Sequence, residues 1–422
     1  MSLLNKDKTI LLQGGRLIDP ALGLDREGDL LLQAGRIKAI GANLGAAEEV
    51  FDARGLVICP GLCDIHVHFR TPGEEHKETM ATGSAAAAAG GFTAVVCEPN
   101  TKPPLDSGIM LRQLQQKTPA DNPTAIYLKG CLTLGAAGEE LANIGEMKSC
   151  SAAALSGDPG PIENETLLVQ ALQQCRQYQL LPMLHAEESG KVPYTATSHR
   201  REPELVKQAI GVSAATHAPV HFSHISTAEA AAAIQTAKKQ KLAVSAEVTP
   251  HHLALCGEEA PLGDADWKTN PPLRTSADRA AVQRALIAGV IDCIATDHAP
   301  HTPQEKALGL EAAPFGLIGL ETSLGVVLTT LYHSNLMTLT AIIAAMSTKP
   351  RELLGLPVVN LAEGSVADLT LFDVNREWTV KPEEFYSKGR NCPFQGRLLK
   401  GRAVATLIAG RWIMREGKIV ES

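Results

Sequence analysis

A chain of 422 residues with 45% hydrophobic and 20% charged residues has the composition of a globular protein that buries a large core, which argues against disorder. Its formal net charge of −7 comes without any basic run, so a nucleic acid or an anionic membrane finds nothing to bind and a small molecule is the expected partner. The nine cysteines are scattered, with no C-x-x-C pair, and read as reduced core residues.

The opening MSLLNKDKTILLQGG has no apolar stretch followed by a cleavage site, and no run reaches the length of a membrane span; a soluble, cytoplasmic protein is expected. Over residues 1–55, TILLQGGRLIDP and DLLLQAGRIKAIG carry Gly pairs and alternation that predict a hairpin-rich sheet. From 56 to 360 the texture changes. Short runs rich in Val, Ile, Ala and Cys, at 58–69, 92–99, 125–133, 152–158, 181–187, 219–226, 242–250 and 290–300, alternate with helix-favouring segments. Helices are predicted at Glu78–Ala89, Glu165–Gln177, Glu202–Thr216 and Ala277–Ala288, and ATGSAAAAAGG (81–91) reads as a tightly packed helix end. Eight strands separated by helices fit a closed (β/α)₈ barrel, a TIM barrel, better than a doubly wound sheet. Residues 361–422 return to the opening texture in ADLTLFDVNREWTV and AVATLIAGRWIMREGKIV. Each end is short for a core of its own, so the two are expected to form one small composite β domain.

Chemistry in such a barrel sits at the C-terminal ends of the strands. There the first run delivers His66 and His68, which side-chain alternation puts on one face. The fourth run ends in Asp158, the fifth in His185, the sixth in His224 and the eighth in Asp297. So many ionisable groups near one axis are costly to bury unless a cation organises them, and histidine with carboxylate and no thiolate suits Zn²⁺ or a similar divalent ion. By parity His221 faces away from His224 and is expected to be packed or at the surface. His251 and His252 are either hydrogen-bonding supports or a plain helix start. His76, His199, His217 and His333 receive no role. The stretch 298–316 reads as a mobile loop over the site.

Taken together, GLCDIHVHFRTPG (61–73), GGFTAVVCEPNT (90–101), HAE (185–187), HFSHISTAE (221–229), AEVTPHHL (246–253), TNPPLR (269–274), ATDHAPHTPQEK (295–306), APFGLIGLET (313–322) and SKGRNCPFQG (387–396) resemble the amidohydrolase superfamily and, within it, the class I dihydroorotases. The resemblance implies metal-dependent, reversible hydrolysis of the ring amide of dihydroorotate to N-carbamoyl-aspartate. It makes His66, His68, His185, His224 and Asp297 metal ligands for one or two ions, and Asp297 also the proton-transfer residue. It puts Arg70, Asn100, Asn270, His301 and the backbone around Phe315 and Gly316 on the substrate. Asp158 aligns with the aspartate that class I dihydroorotases carry where hydantoinases and allantoinases have a carboxylated lysine. The sequence departs from the family pattern at Thr71, where an acid is usual, and at Gly157. Aspartate carbamoyltransferase is the implied protein partner and a homodimer the expected assembly. A hydantoin-like ring as substrate, or a non-catalytic scaffold subunit, are the competing readings.

Overall fold

The computed structural model describes residues 8–119, 122–187 and 201–420. Eight parallel strands run in chain order as Leu62–Val67, Phe92–Cys97, Ala125–Leu128 continued by Gly130–Cys131, Leu155–Ser156, Pro182–Leu184, Val220–Phe222, Val244–Val248 and Cys293–Ile294. The last strand returns to the first through the parallel bridge Val67 to His298 and the His68 N–H to His298 carbonyl bond of 2.9 Å. The ring is thereby closed, as a (β/α)₈ barrel requires. Apart from Ala125–Leu128, which is partly exposed, its strands are buried along their length, which is why they read as unbroken apolar runs and not as alternating ones.

The helices begin where the sequence supplies caps. Thr79, with Thr82 completing a capping box, starts Met80–Ala89; Asn164 starts Glu165–Tyr178, Thr227 starts Ala228–Lys239 and Thr275 starts Ser276–Ile287. Small residues let the first of these helices lie close against the barrel. A Cβ at Gly83 would stand 2.5 Å from the Phe69 ring, and one at Gly90 would stand 2.2 Å from the Leu320 carbonyl oxygen.

The two chain ends share one nine-stranded sheet, in the order Lys418–Ile419, Arg411–Arg415, Leu398–Ile408, Leu369–Thr379, Val57–Pro60, Thr9–Asp19, Leu24–Gln33 and Arg36–Gly41, with Glu49–Asp52 paired to Thr9–Asp19. Val57–Pro60 joins the halves, parallel to Thr9–Asp19 and antiparallel to Leu369–Thr379. This corrects the reading of 58–69 as one strand. The run divides at Gly61, where a Cβ would meet Thr93 Oγ1 at 2.1 Å, so the chain passes from sheet to barrel at a point that admits no side chain. Leu12, Leu17, Leu30, Ile58, Leu369 and Leu407 form this sheet's apolar core, separate from the larger one between barrel and helices. Among the described residues no helix is long and apolar enough to cross a membrane.

Candidate active site

A cavity of about 300 Å³ opens at the C-terminal mouth of the barrel. His66, His68, Arg70, Asn100, Asp158, His185, His224, Asn270, Asp297, His301, Phe315 and Gly316 all line it, so the residues singled out in the sequence converge on one place. Glu187, which the sequence reading passed over, lines it too.

His66 is held through both its backbone and its ring. Its backbone N–H donates to Asp64 Oδ1 at 3.0 Å, and the same carboxylate receives the Thr296 N–H, tying the first strand to the end of the eighth. Its Nδ1 lies 2.5 Å from Glu247 Oε1. Burial disfavours the Glu247 carboxylate, but His66 and His221 more than offset this and hold it well below its usual pKa. An ionised carboxylate only accepts, so Nδ1 of His66 donates and Nε2 is left for the cavity. Glu247 Oε2 in turn lies 3.2 Å from His221 Nε2, whose Nδ1 is 2.8 Å from Ser245 Oγ. His68 is oriented similarly, with Nδ1 3.0 Å from Asn100 Oδ1 and Nε2 3.0 Å from Asp297 Oδ1.

His221 is packed, one of the two outcomes expected of it, but parity misjudges how it faces relative to His224. The strand ends at Phe222, and His224 has φ +35°, a left-handed turn that breaks the alternation between the two. His221 is fully buried on the inside of the barrel, and His224 reaches the cavity as well. Asp297 (φ +49°) and Arg70 (φ +55°) are likewise aimed by turns beyond their strands. His252 hydrogen-bonds to Thr249 Oγ1 and approaches the Pro271 carbonyl at 3.2 Å, while also lying in the short helix Pro250–Ala254. Stretch 298–316 forms two short helical turns, Pro303–Lys306 and Gly309–Ala312. Lys306 Nζ donates to the Pro314 and Gly316 carbonyls at 3.0 and 2.9 Å, and Lys268 Nζ to those of Glu311 and Ala313 at 3.1 and 2.7 Å. His199 lies outside the described residues.

The electrostatics of the cluster fit a cation. His66, His185 and His224 bring one donor atom each within 4.8 Å of one another, as do His66, His68 and Asp297, and as do His66, Glu98, Asp158 and His185. Burial drives His224 down to about 4, with His66 adding to the effect, and drives His185 well below its usual value; both are neutral imidazoles, the form that ligates. Burial would lower His66 as well, yet Glu98, Glu247 and Asp297 outweigh it and push the ring up to about 10. The cluster is short of positive charge at that point. A proton meets the deficit, and so does a divalent ion on Nε2. Despite burial, His66 and His68 keep Asp297 below the usual carboxylate range, whereas burial pushes Asp158 up to about 6. On the far side Arg70 Nη2 lies 3.1 Å from His301 Nε2, and that nitrogen is 2.8 Å from the Phe315 carbonyl oxygen.

The sequence reading also missed Glu98, Lys129 and Glu247. The available signal was a charged residue inside or ending an apolar strand run, as in FTAVVCEP, AIYLKGCLT and LAVSAEVTP, where a hydrophobe is the cheaper choice.

A closed (β/α)₈ barrel with histidines and carboxylates gathered at its C-terminal mouth defines a hydrolase of the metal-dependent barrel class. The chain matches the model of the amidohydrolase family over residues 57–413 and belongs to that family. The dihydroorotase of Pelotomaculum thermopropionicum is 41% identical to it, over 96% of this chain and 99% of the relative. That of Pelobacter propionicus is 39% identical, again over 96% and 99%. Among solved structures, L-hydantoinase (dihydropyrimidinase) from Arthrobacter aurescens superposes with a TM-score of 0.87 at 22% identity, over 98% of this chain and 97% of that one. Dihydropyrimidinase from Brevibacillus agri NCHU1002 gives 0.86 at 23%, over 98% and 96%. At those identities the likeness is one of fold.

Proposed function

We propose that the chain is a dihydroorotase, opening the ring amide of dihydroorotate to N-carbamoyl-aspartate and closing it in reverse. The observation that carries this reading is Arg70. Its guanidinium lines the same cavity as the histidine cluster, where a substrate bearing a carboxylate, and not a bare hydantoin ring, calls for a forked cationic donor.

In this reading His66, His68, Asp158, His185, His224 and Asp297 hold the metal, for which zinc suits the donor set. Bound there, it supplies Lewis acidity toward the ring carbonyl and acidifies water. Asp297, kept as a carboxylate by its histidine neighbours, takes the proton of the attacking water and returns it to the departing amide nitrogen. Arg70 pairs with the substrate carboxylate, Asn100 and His301 complete its hydrogen bonds, and Asn270 with the backbone at Phe315 and Gly316 holds the ring. These contacts turn binding energy into orientation of the scissile bond.

The test is turnover of dihydroorotate beside dihydrouracil and hydantoin, the latter two lacking the carboxylate. The expected result is a clear preference for dihydroorotate in hydrolysis, and ring closure of N-carbamoyl-aspartate in the reverse assay. A preference for hydantoin would move the reading to hydantoinase-like chemistry. No turnover of any ring by metal-loaded protein would favour a scaffold role.

A further inference from the structure

The proposed function leaves one buried pair of charges without a task. Glu98 follows the second barrel strand, Phe92–Cys97, with its N–H bonded to the Val67 carbonyl at 2.8 Å beside the His66–His68 segment. Its side chain is fully buried, and Oε1 is paired with Nζ of Lys129, also fully buried, from the third strand. That same oxygen is 3.6 Å from His66 Nε2. Oε2 has no hydrogen-bond partner among the described residues. Glu98 further belongs to the group in which His66, Asp158 and His185 bring donor atoms within 4.8 Å.

Two apolar residues would fill this space at less cost than a buried ion pair with an orphan oxygen, so packing does not account for it. Lys129 answers the charge of Glu98 through Oε1 and leaves Oε2 without a partner among the described residues, in a carboxylate that lies among three groups able to ligate a cation. Carboxylate and imidazole are both ligands that a divalent ion accepts.

We propose that Glu98 is a further metal-site carboxylate, delivered by the second strand to the position bounded by His66, Asp158 and His185, and that Lys129 is the positioning residue that anchors it there. This rests on the reading of the cluster as a metal centre. Because Lys129 fixes Oε1, the carboxylate keeps one orientation whether or not the ion is bound. The ion then meets a site already arranged, and Glu98 offers it a further oxygen donor.

The experiment compares wild type, Glu98→Gln and the double variant Glu98→Met with Lys129→Met. Metal affinity is read by competition with a chromogenic chelator, and ligand geometry from the visible spectrum of the Co²⁺-substituted proteins. The double variant removes both charges, so it separates a structural ion pair from a metal-site role. Expected are a loss of metal affinity of at least about tenfold in both variants and a changed Co²⁺ spectrum, with the double variant melting at or above the wild-type temperature. Wild-type affinity and spectrum in the double variant would overturn the proposal, leaving the pair structural. If the double variant does not fold, Glu98→Gln, which keeps the shape, decides by the Co²⁺ spectrum alone, because the unpaired Lys129 ammonium lowers affinity under either reading: an unchanged spectrum overturns the proposal. Wild type that takes up no metal at all would instead bring down the metal reading itself, and this inference with it.

Discussion

At the scale of single residues, the site was legible where chemistry stands out against an apolar background and illegible where charge is hidden in support. His66, His68, His185 and Asp297 announce themselves at the ends of hydrophobic runs. Glu247 and His221 do not, because they lie inside strands, Glu247 holding His66 and His221 holding Glu247. Arg70→Met is the sharpest test of substrate choice. It should cost about 1.5–3 kcal/mol, the usual worth of hydrogen bonds to a charged group, or roughly tenfold to a hundredfold in kcat/KM for dihydroorotate. Metal content should stay unchanged, and dihydrouracil should lose little more. Equal losses on both rings would make Arg70 a structural residue. Asp297→Asn keeps an oxygen donor but no longer carries a proton. Its kcat is expected to fall by about 10²–10⁴ while most of the metal is retained; near-normal turnover would place the base elsewhere.

At the scale of elements, alternation predicts facing only while a strand lasts. His224, Asp297 and Arg70 stand past their strand ends in left-handed turns, so their placement depends on local backbone that no periodicity encodes. Gly73 shows how exacting those turns are. It has φ +97°, and a Cβ there would lie 1.8 Å from the Lys102 carbonyl oxygen, whereas Gly23, also left-handed at φ +62°, has nothing within 4 Å. Gly73→Ala should therefore destabilise by about 2 kcal/mol or more in denaturant melts, and Gly23→Ala by about 1 kcal/mol or less. Comparable losses would mean that the Lys102 backbone yields freely. In the loop over the cavity, Lys306 holds the Pro314 and Gly316 carbonyls, and Lys306→Met is expected to raise KM more than it lowers kcat. Burial pulls Lys306 down to about 8, partly countered by Asp266. The ammonium is thus present below that pH and lost above it, so the difference in KM between variant and wild type should shrink as pH rises past 8. A difference that holds constant to pH 9.5 would remove the charge from the explanation.

At the scale of the whole molecule, the barrel and the composite sheet were foreseeable because each has its own periodicity and neither chain end can bury a core alone. The junction was not. Val57–Pro60 and Leu62–Val67 form one apolar run in sequence, and the close approach of Thr93 to Gly61 marks where a sheet strand gives way to a barrel strand. That junction carries the first strand, and with it His66 and His68, out of a sheet built from both termini. The molecule thus holds its histidine cluster on a closed ring of strands, and the proposed function makes hydrolysis of dihydroorotate there depend on a cation among those histidines. The most direct measurement is dihydroorotate hydrolysis by protein of known metal content, before chelation, after it, and after a divalent ion is restored. Activity should track bound metal, vanish when the ion is removed, and return with it. Full turnover by protein holding less than about a tenth of an equivalent of metal would contradict the assignment of the cluster as a metal-dependent hydrolytic centre.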